Sequence, residues 1–321
     1  MSASARAIRP TGRARARLPP DDTNPARMTG APASPFEANR SYLTRLAYRM
    51  LGSLSDAEDV VQDAWLRWHE SAPEAIANPR AWLGRVVTRL CLDLMKSARR
   101  RRENYVGAWL PEPLIEEIGG VSGNDDSLDV PYVLQLALER LSPLERAAFL
   151  LHDVFDLPFA EIADTLGRSE AACRQLVSRA RRHARQDGPR HPLSPDEAKR
   201  YAVAFFEAAH STDPTALKGL LAQDAVLHGD GGGKANSVLN PIFGSEKIGR
   251  FFAGLARKPE QQGFVARYEP VLINGMPGYI SAETDTEQAV VLDIRDGRVH
   301  AIYVVRNPDK LAPVRARLAA S

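Results

Sequence analysis

The chain has 321 residues, of which 44% are hydrophobic and 26% charged. This length and composition suit two or three globular domains of ordinary size. No run approaches the ~18 apolar residues of a membrane helix. Two cysteines, Cys91 and Cys173, exclude a disulfide framework and a cysteine-rich zinc module. We therefore expect a soluble protein of the reducing cytoplasm, without membrane contact, metal or cofactor.

The near-neutral net charge of +2 hides an uneven distribution. Residues 106–131 carry six acidic and no basic side chains, whereas residues 96–102 carry five basic and no acidic ones. Residues 168–190 carry seven basic side chains against two acidic ones. Such local positive charge favours a polyanionic partner, because each neutralised phosphate releases condensed counterions. One basic run alone is more often a solvated helix face, but two runs that each end a patterned helix favour nucleic acid.

Changes in composition along the chain predict the domain organisation. The first 35 residues are rich in Arg, Ala and Pro and lack an apolar segment, so we expect disorder there. The predicted fold class is multidomain, with two all-α helical DNA-binding domains followed by an α+β domain. The predicted boundaries are 36–105 and 132–187 for the helical domains, 106–131 for the acidic linker, 195–311 for the α+β domain and 312–321 for a C-terminal tail.

In the first helical domain, a capping box from Ser55 to Glu58 is expected to open a helix whose apolar residues share one face. Asp56, Asp59 and Asp63 form a stripe on the other side. An acidic stripe suits a basic protein partner better than phosphate, although a merely solvated face is about as common.

A long helix is predicted to begin at Asn78-Pro79. Its outer face carries Arg85, Arg89, Asp93, Lys96 and Arg100. We expect Asp93 to pair with Arg89, and the face to follow a sugar-phosphate backbone. Tyr105 could stack on unpaired bases of single-stranded DNA, as could Trp82, for which a core position is the better interpretation.

The second helical domain ends in a helix-turn-helix pattern. Helices are predicted from Pro143, from Pro158 and from the cap Ser169, with Gly167 making the tight turn. The outward face of the last helix suits base recognition in the major groove, because Arg, Gln and Glu side chains match the edges of guanine, adenine and cytosine. An ordinary basic helical hairpin is the weaker interpretation.

Beyond residue 195 the pattern changes to two short helices and then to period-2 stretches with turn signals at Asn274-Gly275 and Asp296-Gly297. Three glycines followed by Lys234 do not make a phosphate-binding P-loop.

Residues 36–186 resemble a bacterial RNA polymerase sigma factor of the extracytoplasmic-function type. The run DAEDVVQD from Asp56 resembles the family's core-polymerase-binding helix, NPRAWL from Asn78 its promoter-melting helix, and residues 169–182 its recognition helix. The motifs WLPEP from Trp109, DGGGK from Asp230 and NPDKL from Asn307 resemble the hallmarks of a subgroup with a fused SnoaL-like, cone-shaped α+β domain. The first 35 residues have no counterpart in this pattern.

The resemblance implies that core RNA polymerase and promoter DNA are the partners and that the protein is not an enzyme. It also implies regulation in cis by the SnoaL-like domain. Whether this domain binds a small-molecule ligand is left open. A ligand-sensing helix-turn-helix regulator is one alternative. A SnoaL-type isomerase or cyclase is the other, because SnoaL-like folds include enzymes with a buried acid or His in the pocket; the resemblance then implies Asp224, His228 or Asp230 as the general base. No second catalytic group stands at a forced spacing.

The implied core-polymerase contacts are Asp56, Glu58, Asp59, Gln62 and Asp63. The implied minus-ten contacts are Arg85, Arg89, Lys96, Arg99, Arg100, Arg101 and Arg102. The implied minus-thirty-five contacts are Ser169, Glu170, Arg174, Gln175, Ser178, Arg179 and Arg182. The implied regulatory contacts are Trp109, Pro111, Pro113, Asp230, Gly231, Gly232, Gly233, Lys234, Asn307, Pro308, Asp309 and Lys310.

Overall fold

The structure, a computed structural model, describes residues 34–71, 73–102, 105–118, 131–184, 193–258, 267–283 and 286–320. For residues 97–102, 184, 283 and 286 it describes the backbone alone. The predicted disorder of the N-terminal tail and much of the predicted acidic linker lie outside the described residues. So do the side chains of Arg99 to Arg102.

The first helical part contains α1 (Arg40–Leu51), α2 (Leu54–Glu70) and α3 (Pro79–Arg102). The predicted capping box at Ser55 is wrong, because α2 begins at Leu54 and its cap is Ser53, whose Oγ accepts from the Asp56 amide at 3.2 Å. The earlier start lets Leu54 pack against the core. The predicted start of α3 is confirmed, since Asn78 Oδ1 accepts from the Ala81 amide at 3.1 Å.

The second helical part contains α4 (Tyr132–Glu139), α5 (Pro143–Phe149), α6 (Phe159–Leu166) and α7 (Glu170–Ala184). A single π-helical turn, Leu150–Val154, extends α5. Ser142 and Glu145 form a reciprocal capping box at α5. Gly167 ends α6 with φ of 62°, and Ser169 Oγ caps α7 by accepting from the Ala172 amide at 3.2 Å. The predicted helix-turn-helix is thus confirmed.

The C-terminal part contains one sheet with helices beside it. Its elements are α8 (Pro195–Ala209), β2 (Leu221–Asp230), β3 (Ile242–Phe243), α9 (Ser245–Ala256), β4 (Arg267–Ile273), β5 (Met276–Glu283), β6 (Thr286–Arg295), β7 (Arg298–Val305) and α10 (Ala312–Ala320). A strand from the linker, β1 (Ile115–Glu116), joins the edge, and the strand order is β1-β4-β5-β6-β7-β2-β3. Neighbouring strands are antiparallel, except that β2 and β7 are parallel. The predicted α+β character is confirmed.

Three apolar clusters hold the chain together. The first is continuous through both helical parts. The second lies between one face of the sheet, the linker residue Leu110, α4 and α10. The third fills the space between the other face of the sheet, α8 and α9. Residues 35–321 consequently form one compact unit, in which the linker runs between the helical parts and the sheet. Within the described ranges, no helix is both long enough and apolar enough to cross a membrane.

Candidate functional site

The carboxylate of Asp230, at the end of β2, is fully buried and receives four hydrogen bonds. Its Oδ1 accepts from Tyr105 Oη at 2.6 Å and from the Gly232 amide at 3.0 Å. Its Oδ2 accepts from the Leu110 amide at 2.9 Å and from Lys310 Nζ at 2.7 Å. Two of these donors, Tyr105 and Leu110, lie in the segment between α3 and α4, which we call the linker from here on. We call Asp230, Lys310, Tyr105 and Leu110 the linker hub.

The lysine of the linker hub is also buried. Lys310 Nζ also donates to the Leu110 carbonyl at 2.6 Å and lies 4.1 Å from the centre of the Trp109 ring. Asn307 Nδ2 donates to Tyr105 Oη at 2.8 Å. A buried ion pair with this many partners is costly to break, because removing one member leaves the other charge unpaired.

The three hallmark motifs meet at the linker hub. Gly232 has φ of 59°, and a Cβ there would lie 2.4 Å from Asn307 Nδ2, so this position of the DGGGK motif requires glycine. At the rim, Lys234 pairs with Asp309 at 2.5 Å, and both side chains are more than half exposed. The pairing of Asp230 and Lys234 with the NPDKL motif was not predicted from the sequence.

Glu112, in the middle of WLPEP, joins the linker to the first helical part. Its Oε2 accepts from the Leu54 amide at 2.7 Å, and its own amide donates to the Gly52 carbonyl at 2.9 Å. Trp109 packs closely against Gly52, which has φ of 71°. A Cβ on Gly52 would lie 2.7 Å from Trp109 Cη2. Only glycine fits between α1 and α2 here.

Tyr48 connects α1, the linker and the C-terminal sheet. Its buried hydroxyl donates to the Glu112 carbonyl at 2.9 Å and accepts from Asn274 Nδ2 at 2.8 Å. Asn274 Oδ1 in turn accepts from the Leu114 amide at 3.0 Å. Burial raises the pKa of Tyr48 well above the ordinary tyrosine value, so the hydroxyl stays protonated and able to donate. Asn274 thus makes the predicted turn and also binds two other parts of the chain.

The second helical part is attached through α4 and α5. Tyr132 Oη donates to the Pro111 carbonyl at 3.0 Å. Arg146 is 1% exposed and donates to the Met50 carbonyl of α1 at 2.6 Å and to Glu139 Oε1 at 2.7 Å. The linker and this arginine therefore tie both helical parts together.

The five residues expected to contact core polymerase lie on the outer face of α2. All five side chains are exposed: Asp56, Glu58, Asp59, Gln62 and Asp63. Leu66 continues this face and is 47% exposed. Within the described residues, this acidic face remains open to a partner.

Two arginines of the outer face of α3 contact α6, while Asp93 and Lys96 on the same face are exposed. Arg85 forms an ion pair with Asp164, and Arg89 Nε donates to the Thr165 carbonyl at 3.5 Å. The predicted Asp93–Arg89 pair is wrong, because Asp93 pairs with Lys96 at 2.8 Å. The predicted stacking role of Tyr105 does not fit this structure either, since its ring lies 5.2 Å from Lys310 Nζ and its hydroxyl binds Asp230.

The recognition face of α7 is exposed, as predicted. Gln175, Ser178, Arg179 and Arg182 extend from it, and Arg174 pairs with Glu170 at 2.6 Å. Beside this face, Arg181 makes two hydrogen bonds to Asp153, at 2.7 and 2.6 Å.

The three residues considered for catalysis do not converge. The side chain of Asp224 is 86% exposed, with His300 Nδ1 at 3.8 Å. His228 stacks on Tyr303 at 5.3 Å between ring centres, and burial lowers its pKa. Both oxygens of Asp230 are occupied within the linker hub. This arrangement offers no general base beside an open pocket.

Sequence reasoning missed Tyr48, Glu112, Asn274 and Arg146. Glu112 lies inside the WLPEP motif, and a lone acid between two prolines could have indicated a specific hydrogen-bond partner. The other three act through contacts between residues far apart in the sequence.

Comparisons with known proteins agree with this geometry. The family described as Sigma-70 region 2 matches residues 35–101, and Sigma-70, region 4 matches residues 133–183. The extracytoplasmic-function RNA polymerase sigma factor SigJ of Mycobacterium tuberculosis is 40% identical over 303 residues, which cover 89% of this chain and 96% of the relative. This chain belongs to the extracytoplasmic-function family of RNA polymerase sigma factors.

Two further similarities fit the same assignment. The probable sigma factor SigI of M. tuberculosis is 32% identical over 88% of this chain and 96% of its own length. The crystal structure of M. tuberculosis SigJ superposes with a TM-score of 0.70, at 37% identity, over 88% of this chain and 99% of that one.

Membership of the sigma-factor family also gives the activity of this chain. A sigma factor of this family binds core RNA polymerase and promoter DNA and directs promoter-specific transcription initiation. It is an initiation factor and not an enzyme. The predicted family, fold class and activity are confirmed, and the two alternative functions are set aside.

Proposed function

We propose that the C-terminal domain regulates this sigma factor in cis by clamping the linker and holding the two helical parts closed against each other. The observation that carries the proposal is the buried Asp230 carboxylate, which binds Tyr105 and Leu110 of the linker and Lys310 of its own domain. Because the same linker binds both helical parts, its position sets theirs.

The binding surfaces differ in whether another part of the chain contacts them. The proposed polymerase contacts of α2, from Asp56 to Asp63, are exposed, as is the recognition face of α7. The proposed minus-ten contacts Arg85 and Arg89 are bonded to α6, although Arg89 and part of Arg85 remain exposed. In this proposal Asp164 occupies the place that a phosphate of the promoter would take beside Arg85.

The remaining roles follow from these surfaces. Lys96 and Arg99 to Arg102 would extend the minus-ten contacts beyond α6. Ser169, Glu170, Arg174, Gln175, Ser178, Arg179 and Arg182 would read the minus-thirty-five duplex, once the Glu170–Arg174 pair exchanges for bases. The regulatory contacts are those that meet at the linker hub and its rim. The protein would act in the cytoplasm, with the polymerase.

Transcription with purified core polymerase tests the proposal. At saturating polymerase, Asp230→Asn should raise output from the same start site, because the unpaired Lys310 loosens the linker and releases α3 from α6. Tyr105→Phe is a milder variant that removes one hydrogen bond to Asp230. The control is Glu246→Gln, which breaks an exposed pair with Arg250 on α9. Output equal to that of the control in both variants contradicts regulation by the linker hub.

A further inference from the structure

The polymerase-facing helix begins under a carboxylate that the linker supplies. Glu112 is 4% exposed, and its Oε2 accepts from the Leu54 amide, the first residue of α2, at 2.7 Å. The first amides of a helix lack partners within the helix and form its positive end. A carboxylate there satisfies an amide and stabilises the first turn, on which Asp56 lies.

Two acceptors hold this first turn, and they differ in origin. Ser53 Oγ, adjacent in sequence, accepts from the Asp56 amide at 3.2 Å. Glu112 is 58 residues away from Leu54 in the sequence. Part of the cap of α2 therefore depends on where the linker lies.

The position of Glu112 depends in turn on the linker hub. Leu110, two residues earlier, donates its amide to Asp230 and accepts from Lys310 with its carbonyl. Pro111 and Pro113 flank Glu112, and each proline ring fixes one backbone dihedral. A displacement at the linker hub is consequently passed along this short segment to the start of α2.

We infer that Glu112 is a positioning residue through which the C-terminal domain sets the affinity of this sigma factor for core polymerase. The linker hub then affects two parts of the first helical domain. It holds α3 against α6, and it also orders the start of α2. The inference rests on the proposed function for the link to the linker hub, and it adds the polymerase-binding step to what that domain controls.

Affinity for purified core polymerase, measured with the full-length chain, tests the inference. Glu112→Ala should weaken binding by about fivefold, the factor that corresponds to losing one helix cap. Glu112→Gln keeps an acceptor for the Leu54 amide and should bind much like the wild type. The matched control is Glu117→Ala, which removes an exposed linker acid.

A second-site variant separates positioning from general damage. Ser53→Asp adds a negative charge at the positive end of α2 and should restore polymerase affinity to Glu112→Ala without help from the linker, because this charge stabilises the first turn through the helix dipole. Thermal melting before each assay identifies variants that are folded. If Glu112→Ala is not folded, the polymerase affinity of Asp230→Asn is measured in its place. We expect it to fall by about the fivefold factor given above for Glu112→Ala.

Two results overturn the inference: Glu112→Ala binds core polymerase as tightly as Glu117→Ala, or Ser53→Asp fails to restore its affinity. If Asp230→Asn changes output at saturating polymerase but leaves polymerase affinity unchanged, regulation in cis stands and the link through Glu112 fails. If Asp230→Asn changes neither quantity, the proposed function fails as well.

Discussion

At the scale of single residues, two of the buried acidic side chains, Asp230 and Glu112, have different kinds of partners. Asp230 has a buried cation and three further donors. Glu112 has no ion pair within hydrogen-bond distance among the described residues, and burial raises its pKa, although amide hydrogen bonds from Leu54 and Ser55 oppose the shift. An acid kept where its charge is costly is commonly retained for function.

The raised pKa of Glu112 predicts how stability changes with pH. Because the fold favours the protonated acid, this contribution is fully present below the ordinary glutamate value of about 4.3 and is lost as the pH rises through the raised pKa. Glu112→Gln does not titrate at this position. The unfolding free energy of the wild type, relative to this variant, should therefore fall as the pH rises from about 4.3 through the raised pKa of Glu112.

Urea unfolding at a series of pH values measures this difference. Glu117→Gln is the control for removing one carboxylate from the linker. A wild-type stability that rises relative to Glu112→Gln over this range would show that hydrogen bonds to the charged form outweigh burial.

At the scale of elements, the caps and turns of the helical parts were predictable because they are local signals. The capping box at Ser142, the turn at Gly167 and the cap at Ser169 each involve residues within a few positions of one another. The wrong start of α2 arose because Ser53 and Ser55 both stand three residues before an acid. The start at Leu54 is favoured by contacts with residues distant in the sequence, since Leu54 packs against the core and its amide donates to Glu112.

Contacts between elements were not predictable in the same way. Arg85 and Asp164 are 79 residues apart, and Tyr48 and Asn274 are 226 residues apart. Helical spacing indicated that Arg85 lies on an outer face, but it could not show that α6 covers this face. The resemblance to a family predicted that the three motifs share one function. It did not predict which residues of these motifs form hydrogen bonds with one another, and the structure shows these partners.

The recognition helix α7 yields a prediction at this scale. Arg179→Ala should cost about 1–3 kcal/mol of binding to the preferred duplex and relax the preference at one base pair, as expected for a lost base contact. Arg181→Ala is the matched control, because Arg181 is engaged by Asp153 beside the face. Selection of duplexes from a random library, with each variant bound to core polymerase, measures both effects. An equal, uniform loss in the two variants would argue that Arg179 contacts phosphate alone.

At the scale of the whole molecule, the proposed function requires the closed arrangement to open before a promoter is read. The minus-ten and minus-thirty-five elements are about 25 base pairs apart, which is roughly 85 Å at 3.4 Å per base pair. In this structure α3 and α6 touch through Arg85 and Asp164. In the proposed function the sigma factor therefore opens after it meets the polymerase, and the linker hub resists this opening.

The distance between α3 and α6 tests this account most directly. Spin labels attached through Asp93→Cys and Ala160→Cys would lie on exposed positions of the two helices, while the native Cys91 and Cys173 are buried. The account predicts a short distance in the free protein, a distance longer by tens of ångströms with core polymerase and promoter DNA, and a partly lengthened distribution in Asp230→Asn alone. A short distance that persists in a transcribing complex, or a long one in the free wild type, would contradict it.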